Sequence, residues 1–254
     1  MTTGPNPVFP QREPELLGQT VVLIGGSAGI GLETARRARS EGADVIITGR
    51  NRDRLTQAAS DVGAQRTAAF DANDAASLEN FFRELPTPID HVMVTAGGSY
   101  YSPLAEIDFA KVRGAFDEHL VLPLQIARQA VARVRPGGTL VFMAGAGARR
   151  PGIGLTIAGI LSAGLPALIA NLALELAPIR VNLIAAGFVD TPLSASLLGD
   201  DLEQRRNQLR AVLPIRRVVE PTDVAALAVH LMTNTALTGA TYDIDGGEQL
   251  VSGA

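Results

Sequence analysis

Short apolar, β-branched runs recur along this chain, most of them ending in glycine, and between them lie longer segments whose apolar positions return at helical spacing. The runs are "TVVLIGG" (20–26), "ADVIITGR" (43–50), "RTAAFDAN" (66–73), "IDHVMVTAGG" (89–98), "GGTLVFMAGAG" (137–147), "IRVNLIAAG" (179–187) and "TGATYDIDGG" (238–247). Hydrophobic residues at consecutive rather than alternate positions predict strands buried on both faces, as in a parallel sheet. Between the first two runs, "IGLETARRARSEG" places Ile30, Leu32, Ala35 and Ala38 on one stripe and stops at Gly42, which predicts an amphipathic helix. Helices are likewise predicted in "NRDRLTQAASDVG", in "AASLENFFREL", from Phe109 to about Val134, and in "PTDVAALAVHLMTN". Strict alternation of the two kinds predicts an α/β fold, a doubly wound parallel sheet with helices on both faces, in a single domain over residues 19–254. Residues 1–18 are predicted to form a Pro-rich N-terminal arm.

One segment breaks the pattern. "PGIGLTIAGILSAGLPALIANLAL" (151–174) carries no charge and has about the length of roughly 20 apolar residues that a membrane span requires. Glycines, Pro166 and Asn171 interrupt it, and it runs on into "ELAPIRVNLIAAG", a charged helix end followed by a strand. It is therefore expected to be a buried, subunit-facing helix, kinked or restarted at Pro166 because an interior proline loses a backbone hydrogen bond. No membrane role is expected, and the protein is expected to assemble as a homodimer or homotetramer.

Charge and composition narrow the chemistry. Of 254 residues 46% are hydrophobic, enough for a packed core, and the net charge of −4 without a dense basic cluster speaks against nucleic acid as a partner. The chain has no cysteine and only three histidines, His91, His119 and His230, widely spaced, so disulfides, thiolate catalysis and a metal site are not expected. The N-terminus lacks the basic start and apolar run of a secretory signal, and a cytoplasmic location is expected.

Candidate chemistry gathers at the first strand–helix junction. In "LIGGSAGIGLE", Gly25, Gly29 and Gly31 lie between a strand and a helix. There a backbone without Cβ can approach a pyrophosphate, and the helix N-terminus offers unpaired N–H groups to it. The second strand ends at Arg50-Asn51, where a dinucleotide-binding unit would carry the acid that binds the adenosine ribose; an arginine there favours a 2′-phosphate.

With "GGSAGIG", "FDA" at 70–72, "TAGG" at 95–98, "LALELAPIRVNLIAAGFVDTP" at 172–192 and "DIDGG" at 243–247, the chain resembles the short-chain dehydrogenase/reductase family from about residue 19 to 250. The resemblance implies a Rossmann-type domain, NADP(H) as cofactor and a small-molecule substrate. It implies that Ser27, Ile30 and Gly31 line the cofactor phosphates, with Arg50 and Asn51 beside the adenosine ribose. Asp71 and Ala72 would then meet the adenine, Ala96 and Gly97 close over the ribose, and Gly187, Phe188, Val189 and Thr191 face the nicotinamide carboxamide. Residues 192–215 would form the substrate lid.

The same resemblance implies a serine, a tyrosine and a lysine for proton transfer, but Gly145, Ala158 and Ser162 fall at those positions. His119 falls where the family has an asparagine. His119 is the first candidate for a replacement proton donor, since imidazole titrates near neutral pH; Tyr100 is the second, with Tyr101, Arg149 and Arg150 behind them. Three readings stay open: a reductase with an atypical proton donor, a cofactor-binding homologue without turnover acting as sensor or scaffold, and a non-redox enzyme that uses the pocket for another ligand.

Overall fold

A computed structural model of the protein describes residues 13–251. Most of the N-terminal arm lies outside the described residues, but its end is anchored: Leu16 is fully buried and its N–H donates to Glu41 O at 2.9 Å.

Seven strands form one sheet in the order β3-β2-β1-β4-β5-β6-β7. They are β1 (Thr20–Ile24), β2 (Asp44–Gly49), β3 (Arg66–Ala69), β4 (Ile89–Val94), β5 (Val134–Gly145), β6 (Arg180–Ala186) and β7 (Thr241–Ile244), and every pairing is parallel. The pleat sends alternate side chains to two cores. Val22, Ile24, Val92, Val94, Leu140, Phe142, Val181 and Leu183 face one, with α3 (Ala75–Glu84), α5 (Leu122–Ala130) and α6 (Thr156–Glu175) packed on it. Val21, Leu23, Met93, Val141, Ile184 and Ala186 face the other, under α1 (Gly29–Ser40), α2 (Arg52–Val62) and α9 (Pro221–Thr233). The predicted fold class is the observed one. The strand order reverses between β1 and β4, and at such a switch point the loops at the carboxyl ends of the strands part into a crevice.

Three predicted boundaries move. The long helix from Phe109 is not continuous to Val134: α4 (Phe109–Phe116) passes through a π-helical turn, Asp117–Val121, into α5, which ends at Ala130. Val134 instead opens β5 opposite Ile89 and is buried, so core packing draws it into the sheet. The charge-free segment becomes helical only at Thr156, because Pro151, Gly152 and Gly154, the last at φ +83°, hold the preceding turns. The helix then continues through Pro166 without a restart. By length and composition α6 is apolar enough to cross a membrane, yet Leu165, Ile169 and Leu172 pack into the sheet core. Its burial is one-sided. Ile160, Ala163, Gly164, Ala167, Ala170, Asn171 and Leu174 form an exposed, uncharged outer stripe.

Two buried polar groups tie the sheet together. Arg180 of β6, 6% exposed, has no acid beside it and instead donates to the carbonyls of Leu231, Met232, Asn234 and Leu237 at 2.7–3.2 Å. It thereby satisfies the C-terminal end of α9, where the helix dipole favours a cation. His91 of β4 is 1% exposed. Its Nε2 donates at 2.8 Å to Gln19 Oε1, an oxygen that also accepts from Arg135 at 3.3 Å, while Nδ1 has no partner.

Burial, with Arg180 and Arg135 nearby, pushes the His91 pKa down to about 3 against attraction from Asp90. The folded state therefore keeps His91 neutral at pH values where the unfolded chain, with the ordinary value of 6.5, takes up a proton. Stability from this group is undiminished above pH 6.5 and falls as pH drops towards 3, by about 1.4 kcal/mol per pH unit. In acid titrations followed by circular dichroism, His91→Gln should unfold at a lower pH than the parent protein.

Candidate active site

The crevice at the switch point is built from backbone before any side chain enters it. Gly25 leaves β1 at φ +100°, and a Cβ there would lie 2.7 Å from Ala96 N and from Thr95 Oγ1; one on Gly31 would lie 2.3 Å from Gly25 O. These two glycines let the loop fold under the first turn of α1 and against the loop after β4, where Thr95 Oγ1 donates to Gly25 O at 3.0 Å and Ala96 N to Ile24 O at 3.0 Å. Gly29, at φ +52°, opens α1 and packs against Thr191, 3.5 Å from its would-be Cβ. Ala28, the residue before α1, has no side chain to cap the helix. The first-turn N–H groups of α1 thus have no side-chain cap, a feature suited to an anion. Ser27 beside them is 7% exposed.

Arg50 follows β2 and is exposed; among the described residues it makes no ion pair and no hydrogen bond. Asn51 has a structural task, since its Oδ1 accepts the Arg54 N–H at 2.9 Å and caps α2. Beyond β3, Asp71 is exposed and accepts the Asn73 N–H at 3.0 Å, and Ala72 is buried. An uncapped helix start, a cradle that a Cβ would fill and an uncommitted guanidinium on the same strand edge fit a phosphorylated dinucleotide. An open groove of about 380 Å³ adjoins this edge, touching Ser27, Gly29, Arg54 and Pro192 but not Gly145, Ala158 or His119.

His119 lies in the π-helical turn between α4 and α5, a type of irregularity frequent at functional sites. Its Nδ1 donates to Ala115 O at 2.9 Å, leaving Nε2 as the atom open to a proton donor or acceptor. The ring edge lies beside Gly97, with Cε1 and Nε2 3.9 and 4.0 Å from the Cβ that Gly97 lacks. Neighbouring Glu118 accepts the Gly98 N–H at 2.9 Å and so fixes this loop. Nothing in the sequence singled out Glu118.

The remaining candidates separate into those near the crevice and those engaged elsewhere. Gly145 ends β5 opposite Ala186, and a Cβ built on it meets nothing within 4 Å. Ser162, 7% exposed, donates to Gly145 O at 2.9 Å, and Ala158 lies one turn earlier on α6. Tyr100 accepts the Asp108 N–H through its hydroxyl at 2.8 Å, which holds it to the start of α4; Tyr101 is 53% exposed. Arg149 pairs with Asp243 at 2.6 Å, and Arg150 donates to the carbonyls of Gln249 and Val251. Both arginines hold the C-terminal segment instead of standing free for an anion.

The loop after β6 carries Gly187, Phe188, Val189 and Thr191. Thr191 caps α7 (Pro192–Leu198) reciprocally with Ser194, and α8 (Leu202–Val212) follows. Phe188 packs on Leu209, Leu213 and Val218. Glu248, directly after the "DIDGG" motif, is buried against the same loop, which sequence reasoning missed; its Oε2 accepts the Phe188 N–H at 3.1 Å. An acid next to a glycine pair reads as an ordinary surface turn, so only the fold reveals its burial.

A family model described as enoyl-(acyl carrier protein) reductase matches residues 25–249. The short-chain dehydrogenase/reductase ATR9 of Stachybotrys chlorohalonatus is 29% identical, over 92% of this chain and 98% of that protein. The structure of the MalC reductase/Diels-Alderase from Malbranchea aurantiaca shares the fold with a TM-score of 0.87 at 24% identity, over 94% of this chain and 99% of that one. A small-chain dehydrogenase crystallised in complex with NADPH is 26% identical with a TM-score of 0.78, over 92% of this chain and 99% of its own.

The glycines at the two ends of the site should respond in opposite ways to an added side chain. Gly145→Ser enters open space and should leave the melting temperature within about 2 °C of the parent, since changes away from packed features stay within about 0.5 kcal/mol. Gly31→Ala drives a methyl group into Gly25 O and should cost about 1–3 kcal/mol, as overpacking does. Thermal melts of the two variants check both expectations.

Proposed function

From the premise that this chain belongs to the short-chain dehydrogenase/reductase family, we propose that it is an NADP(H)-dependent oxidoreductase that reduces a small carbonyl or related hydride acceptor with an atypical proton donor. The observation that carries this reading is the glycine cradle of Gly25, Gly29 and Gly31 on one strand edge with the unpartnered Arg50. Relatives support the choice of cofactor: one similar structure is a complex with NADPH, and a 27% identical protein of Lentilactobacillus kefiri is an NADP-dependent (R)-specific alcohol dehydrogenase.

The bound nicotinamide would supply the hydride. In this reading Ser27, Ile30 and Gly31 hold the phosphates at the start of α1, and Arg50, with Asn51 shaping its turn, takes the 2′-phosphate. Asp71 and Ala72 border the adenine, and Ala96 and Gly97 the adenosine ribose. Gly187, Phe188, Val189 and Thr191 orient the carboxamide, and 192–215 forms the lid over the substrate. At the proton-transfer positions Gly145 and Ala158 bring no hydroxyl, and the Ser162 hydroxyl is committed to Gly145 O. His119 then handles the proton at Nε2, with its other nitrogen fixed on Ala115 O; Tyr100 is the second donor considered. The uncharged outer stripe of α6 is the surface we assign to a homodimer or homotetramer contact.

Two experiments test this reading. In fluorescence titrations NADPH should bind about 10- to 100-fold more tightly than NADH, the worth of a charge-assisted hydrogen bond, and Arg50→Ala should abolish the preference; equal affinities in the parent protein overturn the assignment. In single-turnover assays with saturating NADPH, ordinary aldehydes and ketones should react slowly. Gly145→Ser, Ala158→Tyr and Ser162→Lys combined should then raise the rate, general acid–base help being worth about 10²- to 10⁴-fold. His119→Ala should lower the parent rate without changing NADPH affinity.

A further inference from the structure

The lid and the loop after β6 are joined by charged contacts that the proposed chemistry does not itself require. Glu248 is 7% exposed, and its two carboxylate oxygens serve two elements. Oε2 accepts the Phe188 N–H at 3.1 Å, and Oε1 accepts from Arg205 of α8 at 3.0 Å. The carboxylate covers the 187–188 peptide so closely that a Cβ on Gly187 would come within 2.4 Å of Oε2. The Arg205 guanidinium also lies 6.0 Å from the centre of the Phe188 ring, within reach of a cation–π contact. The next residue, Arg206, grips the far end of the loop with a two-pronged pair to Asp190 at 2.7 and 2.8 Å. Consecutive arginines on one lid helix thus hold both ends of the 188–190 segment, Arg205 through Glu248 on the Phe188 N–H and Arg206 directly on the Asp190 carboxylate.

We propose that Glu248 is a positioning residue that couples lid closure to the placement of the 187–188 peptide, with Arg205 as the lid-side half of the clasp. The proposal rests on the reading that this loop faces the nicotinamide, and it concerns how that site is regulated. A carboxylate shielded from water by Gly187 and Phe188 needs a charged partner, because an unpaired buried charge is costly. When α8 lifts, Arg205 leaves, and Glu248 must either rehydrate or follow. Either movement loosens its hold on the Phe188 N–H. An open lid therefore relaxes the cofactor loop, and a well-seated loop favours the closed lid. Arg206 and Asp190 make the same connection more cheaply, since both side chains are about one-quarter exposed and water can replace either partner.

Hydrogen–deuterium exchange of the full chain, with and without NADPH, separates the two functions of the carboxylate. Glu248→Gln keeps an amide oxygen for the Phe188 N–H but loses the ion pair. It should speed exchange across 202–212 about ten-fold while leaving the 188–190 amides and the NADPH Kd within about two-fold of the parent. Arg205→Ala, which removes a partly exposed side chain, should speed exchange across 202–212 to a similar extent and, because it strands the charged carboxylate, should also speed exchange of the 188–190 amides. Glu248→Ala should speed exchange in both segments and raise the NADPH Kd about ten-fold. Adding Glu248→Gln to Arg205→Ala should leave exchange across 202–212 no faster than in Arg205→Ala alone, because the ion pair is already lost, and should return the 188–190 amides towards the parent, because no charge is left stranded. If lid exchange in Arg205→Ala matches the parent, or if adding Glu248→Gln speeds lid exchange further, the clasp is wrong. Exchange in the ligand-free chain reads the clasp even if NADPH fails to bind the parent protein, an outcome that overturns the cofactor assignment instead.

Discussion

The close approach of Gly25 to Gly31, with Thr95 and Ala96 behind them, is the constraint on which the rest of the site depends. A parallel sheet whose order reverses between β1 and β4 must send the two loops apart, yet here they are laced together by Thr95 and Ala96 onto the carbonyls of Ile24 and Gly25. The first turn of α1 is thereby set close against the end of β1, and no side chain caps its N–H groups. Everything placed around it inherits this position: Thr191 lies where a Gly29 side chain would meet it, His119 borders Gly97, and Arg50 stands at the next strand end. A methyl group at either glycine would separate the loops and misalign the whole edge.

Beyond that edge, stability and site geometry are carried by different groups. Two apolar cores hold the helices on the sheet, while buried polar residues set the ends. Arg180 fixes the last turn of α9 through carbonyls alone, so it gains hydrogen bonds without burying a second charge. Glu248 shows the other solution, a carboxylate held between a backbone N–H and an arginine. The first is built into the sheet; the second reaches into a helix pair joined to the body by few apolar contacts, chiefly Phe188 against Leu209, Leu213 and Val218.

The sheet and its helices were legible because their signals are local: uninterrupted β-branched runs, an apolar stripe in α1, glycines at the strand ends. Boundaries were less so. Val134 reads as the tail of a helix until its pairing with Ile89 is known, and the π-helical turn at Asp117–Val121 has no pattern distinct from the helices on either side. The glycine loop was readable from spacing, whereas Glu118 and Glu248 were not, since each acquires its task from a backbone N–H brought close only by the fold. Arg149 and Arg150 illustrate the converse. They were candidate anion binders by position, but their contacts with Asp243 and with the carbonyls of Gln249 and Val251 are long-range in sequence and invisible before folding.

The different surroundings of Gly145 and Ser162 give the two positions unequal tolerance for a new side chain. Residue 145 is permissive, because a Cβ added there meets no neighbour. Position 162 is confined: its small hydroxyl sits at 7% exposure on the Gly145 carbonyl, and a long cation there would have to open that packing and make up for its lost solvation. An added side chain is thus accommodated with less rearrangement at the end of β5 than inside α6.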